Sequence, residues 1–113
     1  MMDYENLFYI FAVFMAIHFL CDYPLQGDFI AKYKARWVND GPNEFWLHCI
    51  TAHAAIHALP VLLITKSLYL GLFMFVTHWV IDTLKCEGKI NLHVDQALHF
   101  IVIAIISAFY YTG

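Results

Sequence analysis

His78-Trp79-Val80-Ile81-Asp82 places a histidine and an aspartate four residues apart inside a run that is otherwise largely apolar from Tyr69 to Leu84. Four residues make about one helical turn, so both side chains leave the same face, one above the other. The spacing recurs in His18-Phe19-Leu20-Cys21-Asp22, in His53-Ala54-Ala55-Ile56-His57 and in Asp95-Gln96-Ala97-Leu98-His99. Each long apolar segment thus carries one pair of ligand-type side chains at helical spacing. The reading that follows is an all-α scaffold that gathers those pairs inside a membrane.

Composition supports the bilayer. The chain has 113 residues, enough for a single domain, and is 62% hydrophobic and 13% charged, whereas soluble domains are about 25% charged. Mean hydropathy is +0.65. A net charge of −3, with no Lys/Arg cluster, excludes a nucleic-acid footprint. The first apolar segment follows Asp3 and Glu5 and precedes Cys21-Asp22-Tyr23-Pro24. It lacks the basic leader and small-residue cleavage site of a signal peptide, and reads as a spanning helix. Cys21, Cys49 and Cys86 show no zinc-type pairing and read as small buried apolar residues.

A span needs about 20 apolar residues, and four segments reach that length, near 6–26, 44–64, 66–85 and 92–112. The expected fold is therefore a four-transmembrane-helix bundle occupying 1–113 as one integral membrane domain. Thr65-Lys66-Ser67 leaves room only for a tight turn, so the second and third spans are antiparallel neighbours. Pro60 lies inside the second, where neighbouring helices tolerate it. Lys32, Lys34 and Arg36 lie in the first connection, Lys85 and Lys89 in the third, and only Lys66 in the second. The positive-inside rule puts the first and third connections in the cytoplasm and both termini in the periplasm of a bacterial inner membrane. Within the first connection Phe29, Tyr33 and Trp37 recur every four residues, away from Lys32 and Arg36. This predicts a short amphipathic interfacial helix over 28–38, against membrane lipids. An irregular loop with interfacial aromatics is the alternative.

Depth draws the four pairs together. They occupy the C-terminal halves of the first and third segments and the N-terminal halves of the second and fourth. Alternating helix direction brings all four to the cytoplasmic side. His18, His53, His78 and His99 lie roughly six to nine residues, or about 9–14 Å, from that end. Ionisable groups at span centres cost about 2.5–3.5 kcal/mol each on insertion scales, and so face the interior paired with one another or with an ion. Imidazole plus carboxylate suits a divalent metal, zinc first, with manganese or iron as alternatives. The expected ligands are His18, Asp22, His57, His78, Asp82 and His99. Asp95 or His53 is expected as general base, with Lys85 on a phosphate or acting in topology alone. Gln26 and Gln96 would orient the ligands from outside, and Lys34 and Arg36 would meet substrate near the headgroups. His48 and His93 read as interfacial.

The order His18-x3-Asp22-x3-Gln26, Lys34, His53/His57, His78-x3-Asp82-x2-Lys85 and Asp95-Gln96-x2-His99 resembles the small bacterial and phage membrane proteins of domain-of-unknown-function family 3307. The likeness covers nearly the whole chain and implies no activity by itself. More distantly, the chain is similar to inner-membrane metal-dependent hydrolases induced in the DNA-damage response. These are in turn likened to zinc phospholipase C and P1 nuclease, although this chain is much shorter and has no obvious trinuclear ligand set. That resemblance implies a metal-dependent hydrolase of a lipid-linked or headgroup phosphoester, in which a bound water is acidified toward a pKa of ~7. Alternatives of other classes are a non-enzymatic protein moving protons or metal ions, a phage envelope or superinfection factor, and a bis-histidine haem protein. Ala52, Ala54, Ala55 and Ala58 offer a close-packing face for a homodimer or for a neighbouring helix.

Overall fold

A computed structural model describes residues 4–22, 27–35, 37–38 and 41–112. Among these, five helices dominate: α1 (Tyr4–Asp22), α2 (Gly27–Tyr33), α3 (Trp46–Thr65), α4 (Leu68–Cys86) and α5 (Leu92–Thr112). Between α2 and α3, β1 (Trp37–Val38) and β2 (Gly41–Pro42) pair antiparallel, with Trp37 opposite Pro42. The fold is all-α apart from this two-residue ribbon.

Local chemistry sets the helix ends. Lys66 takes a left-handed conformation (φ 55°) and closes α3 through its amide on the Leu62 carbonyl. Ser67 then caps α4, its hydroxyl accepting from the Leu70 amide at 3.2 Å. This is the tight turn the sequence predicts, and α3 packs chiefly against α4. At the other end of α4, Gly88 (φ 76°) permits a Schellman closure. The Gly88 amide donates to Lys85 O at 3.0 Å and the Lys89 amide to Leu84 O at 2.9 Å. Asn91 starts α5 by accepting from the Val94 amide at 2.8 Å.

The long helices neighbour one another in the cyclic order α1, α3, α4, α5, and α2 lies against α3. Their inward residues fall at helical spacing: Phe14 and His18 on α1; Ile50, His53, Ala54, His57 and Val61 on α3; Met74, His78, Ile81 and Asp82 on α4; Asp95, His99, Val102, Ile103 and Ile106 on α5. Phe14, Val61, Met74, Ile81, Val102, Ile103 and Ile106 form an apolar core beside the polar layer. Gly71 lies where α4 meets α3 closely: a Cβ there would be 3.2 Å from Leu62 Cβ, and a larger side chain would not fit.

Two departures from the sequence expectation follow. By length and composition, two described helices, α3 and α5, are able to cross a membrane, or three if the pair α1/α2, bent by 83°, is one broken span. The expected interfacial helix is also shorter than 28–38, ending at Tyr33, so that Trp37 belongs to β1. The Phe29 and Tyr33 rings meet at 4.8 Å, tilted by 38°, and both pack on Phe45, at 5.6 and 5.8 Å. The aromatic stripe is thus used partly against the chain just before α3.

Candidate functional site

The four pairs converge. Helix periodicity alone delivers them, each helix contributing residues one turn apart on its inner face, and the four inner faces meet in one layer. His18, His53, His57, His78, Asp82, Asp95 and His99 are all buried, each at most 3% exposed.

Asp22 stands at the centre. Its Oδ1 lies 2.9 Å from His57 Nε2, 3.4 Å from His53 Nε2 and 4.0 Å from His78 Nε2, and its Oδ2 lies 3.2 Å from His18 Nε2. Gln96 reaches across from α5. Its amide donates to Asp22 Oδ2 at 3.4 Å and to Asp95 Oδ2 at 3.0 Å, and its Oε1 meets His18 Nε2 at 3.3 Å. Asp95 Oδ1 lies 3.3 Å from His99 Nε2. The imidazoles of His57, His78 and His99 form a file, stacked at 3.7 and 4.2 Å between centroids.

Two sets of side chains have the reach to hold a metal ion. His18, Asp22, His57 and His78 form one, and His53, His78 and Asp82 the other, with ligand atoms in each lying within 4.8 Å of one another. His78 belongs to both. Both ring nitrogens of His78 are buried without a hydrogen-bond partner, as are both of His53 and Nε2 of His57. A neutral imidazole carries one N–H donor and one lone pair, and leaving such a group buried and unsatisfied costs about 1–3 kcal/mol. The 2.9 Å approach of His57 Nε2 to Asp22 also lacks hydrogen-bond alignment. Donor atoms that converge in this way lie within reach of a common cation.

The remaining predicted residues divide. Gln96 contacts both Asp22 and Asp95, as expected of a residue that orients the ligands. His99 and Asp95 lie in the layer but outside both ligand sets. Lys85, about one-third exposed, places Nζ 3.8 Å from Asp82 Oδ1. Lys34, expected near the headgroups, turns inward, with its Nζ 3.1 Å from Asp82 Oδ2. His48 and His93 are exposed. Gln26 and Arg36 lie outside the described residues.

Two contributors escape a reading of the sequence. Asn43 donates through its side-chain amide to the carbonyls of Tyr33 and Ala35 and accepts from the Phe45 amide. The Trp79 indole donates to Thr51 Oγ1 at 3.3 Å, tying α4 to α3 beside the site. The turn-forming composition of 39–43 places Asn43 in a bend, but not its long-range partners.

A helical bundle with a buried His/Asp cluster is the class that fold and site define. The family model described as "Protein of unknown function (DUF3307)" matches residues 10–113, and the chain belongs to that family. It is the family that the order of the His/Asp pairs suggests. No curated protein and no solved structure matches the chain.

Proposed function

We propose that the chain is an integral membrane protein that binds a divalent metal, zinc first, among His18, Asp22, His53, His57, His78 and Asp82, and hydrolyses a lipid-linked or headgroup phosphoester with it. The observation that carries the metal reading is His78: central to both ligand sets, stacked between two other imidazoles, and with neither ring nitrogen satisfied. The membrane reading is supported by an inside-out distribution of polarity. Histidines and aspartates fill the interior, while Phe8, Leu63, Tyr69 and Phe109 are each more than 60% exposed. Such a surface is costly in water and fits lipid.

When bound, the ion supplies Lewis acidity and a water acidic enough to attack at neutral pH. The chain supplies the rest. Asp95, paired with His99 and outside both ligand sets, is the group placed to take a proton, and His53, between Asp22 and Asp82, shares that role when the ion is held by His18, Asp22, His57 and His78. Lys85, about one-third exposed, is the cation at the edge, placed to hold a phosphate oxygen. By the charge rule that edge faces the cytoplasmic leaflet.

The test is elemental analysis of detergent-purified protein, prepared without chelator or metal-affinity resin, beside His78→Ala. Stoichiometric metal in the parent and none in the variant is the expected result, and a metal-free parent overturns it. Hydrolysis is tested separately: metal-loaded and stripped protein turning over lipid phosphoesters equally slowly would remove the enzyme reading. A second reading draws on the stacked file His57–His78–His99, since chains of intramembrane histidines also relay protons. Proton or metal flux in liposomes containing the protein would favour it.

A further inference from the structure

Asp82 carries a cation already. Lys34 is 6% exposed and puts its ammonium 3.1 Å from Asp82 Oδ2, while Lys85 approaches the other oxygen at 3.8 Å. Lysine almost never lies so deep unless it is held there, and here the backbone on both sides of it is fixed. The Lys34 amide continues the α2 pattern onto Ile30 O at 3.0 Å. The Asn43 side-chain amide donates to the carbonyls of Tyr33 and Ala35, the residues immediately before and after Lys34. Asn43 Oδ1 accepts from the Phe45 amide at 2.9 Å, anchoring the clamp to the entry of α3.

The two ligand sets differ in kind. His18, Asp22, His57 and His78 offer four protein ligands, the number of a closed zinc site. His53, His78 and Asp82 offer three, the number that leaves a position open for water or substrate. A neutral imidazole has one lone pair, so His78 serves one ion at a time. The sets are therefore alternatives for a single ion, and Lys34 stands on the only carboxylate of the open one.

Resting on the metal reading above, we propose that Lys34 is a tethered cation that selects between two overlapping metal sites, occupying Asp82 and confining the ion to the four-ligand set around Asp22. Ammonium and divalent ion compete for the same carboxylate lone pairs. Withdrawing the ammonium makes the three-ligand set available. A phosphate group, which pairs with ammonium, is the chemistry that would draw Lys34 away in the working protein.

The experiment counts metal per chain, by elemental analysis after zinc loading and gel filtration, in the parent, Asp22→Asn, Asp82→Asn and Asp22→Asn/Lys34→Met. The expected pattern is one ion in the parent, none in Asp22→Asn, one in Asp82→Asn and one again in the double variant. Recovery of metal by removing a lysine is an outcome that a merely structural Lys34–Asp82 pair would not produce. Helix content by circular dichroism establishes that each variant is folded, and Lys34→Gln replaces Lys34→Met if the latter is not. Metal retained in Asp22→Asn, metal lost in Asp82→Asn, or a folded double variant that stays empty overturns the selector. If neither Lys34 substitution folds, Asp22→Asn/Asn43→Ala, which releases the clamp on both sides of Lys34, takes the place of the double variant and must likewise recover the ion. A parent without metal is a different failure, that of the metal reading itself.

Discussion

Replacing Gln96 by alanine isolates what the outer layer of the site contributes. Gln96 donates to Asp22 Oδ2 at 3.4 Å, and Asp22 Oδ1 is the oxygen that faces His53, His57 and His78. Holding one oxygen fixes the rotation of the carboxylate and so the aim of the other. Loss of an outer partner of a metal ligand costs about 10–100-fold in affinity. The contacts to Asp22 and His18 are long, at 3.4 and 3.3 Å, which places the expected loss in the lower part of that range, about 10–30-fold, or ~1.4–2 kcal/mol. The shorter bond to Asp95, 3.0 Å, is charge-assisted and bears instead on the apo fold, where its loss costs about 1.5–3 kcal/mol. Competition against a chromophoric zinc chelator in detergent reads the affinity, and thermal unfolding of the stripped protein reads the stability. Because Gln96 acts on ligands of the four-residue set, its effect on affinity should vanish in an Asp22→Asn/Lys34→Met background, where the ion is held by His53, His78 and Asp82 instead. A folded Gln96→Ala variant that binds zinc as the parent does refutes the reasoning.

Gly71→Val should destabilise the detergent-solubilised protein by about 1–3 kcal/mol through overpacking against Leu62, while Gly71→Ala, whose Cβ needs only a small adjustment at 3.2 Å, should come close to neutral; thermal melts followed by circular dichroism distinguish the two. Reporter fusions at either terminus should be active as a periplasmic phosphatase and dark as a cytoplasmic fluorophore, because five of the six basic residues lie in the first and third connections. The opposite pattern would move the polar layer to the other leaflet.

The convergence of His18, Asp22, His53, His57, His78, Asp82, Asp95 and His99 was legible because it needs only helix period and alternating direction. Which carboxylate sits at the centre was not. Asp22, Asp82 and Asp95 have equivalent spacing in sequence, and only the packing of α1 against α3 and α5 puts Asp22 among the imidazoles while Asp82 meets lysines. The burial of Lys34 is illegible for a related reason. The period-four aromatic stripe predicts a helix over 28–38 and gives Lys34 no inward partner. The helix stops at Tyr33, and the device that turns Lys34 inward is Asn43, nine residues further on and invisible to any local pattern.

The count of spans raises the same difficulty in another form. Mean hydropathy averages over all faces of a helix, yet lipid meets only the outer one. Residues that build a buried polar site lower the average of the helix that carries them without changing its exterior. Helix α4 is such a case: His78, Asp82 and Lys85 lie on it, and it falls outside the helices that qualify by composition. Its exposed large side chains are nevertheless Leu68, Tyr69, Leu72, Phe73, Val76 and Val80, a surface as apolar as that of α5, which qualifies. A ring of four helices whose polar residues point at one another would bring α4 to lipid on the same terms as α3 and α5. Hydropathy averaged around the helix therefore understates how apolar the outer face of α4 is.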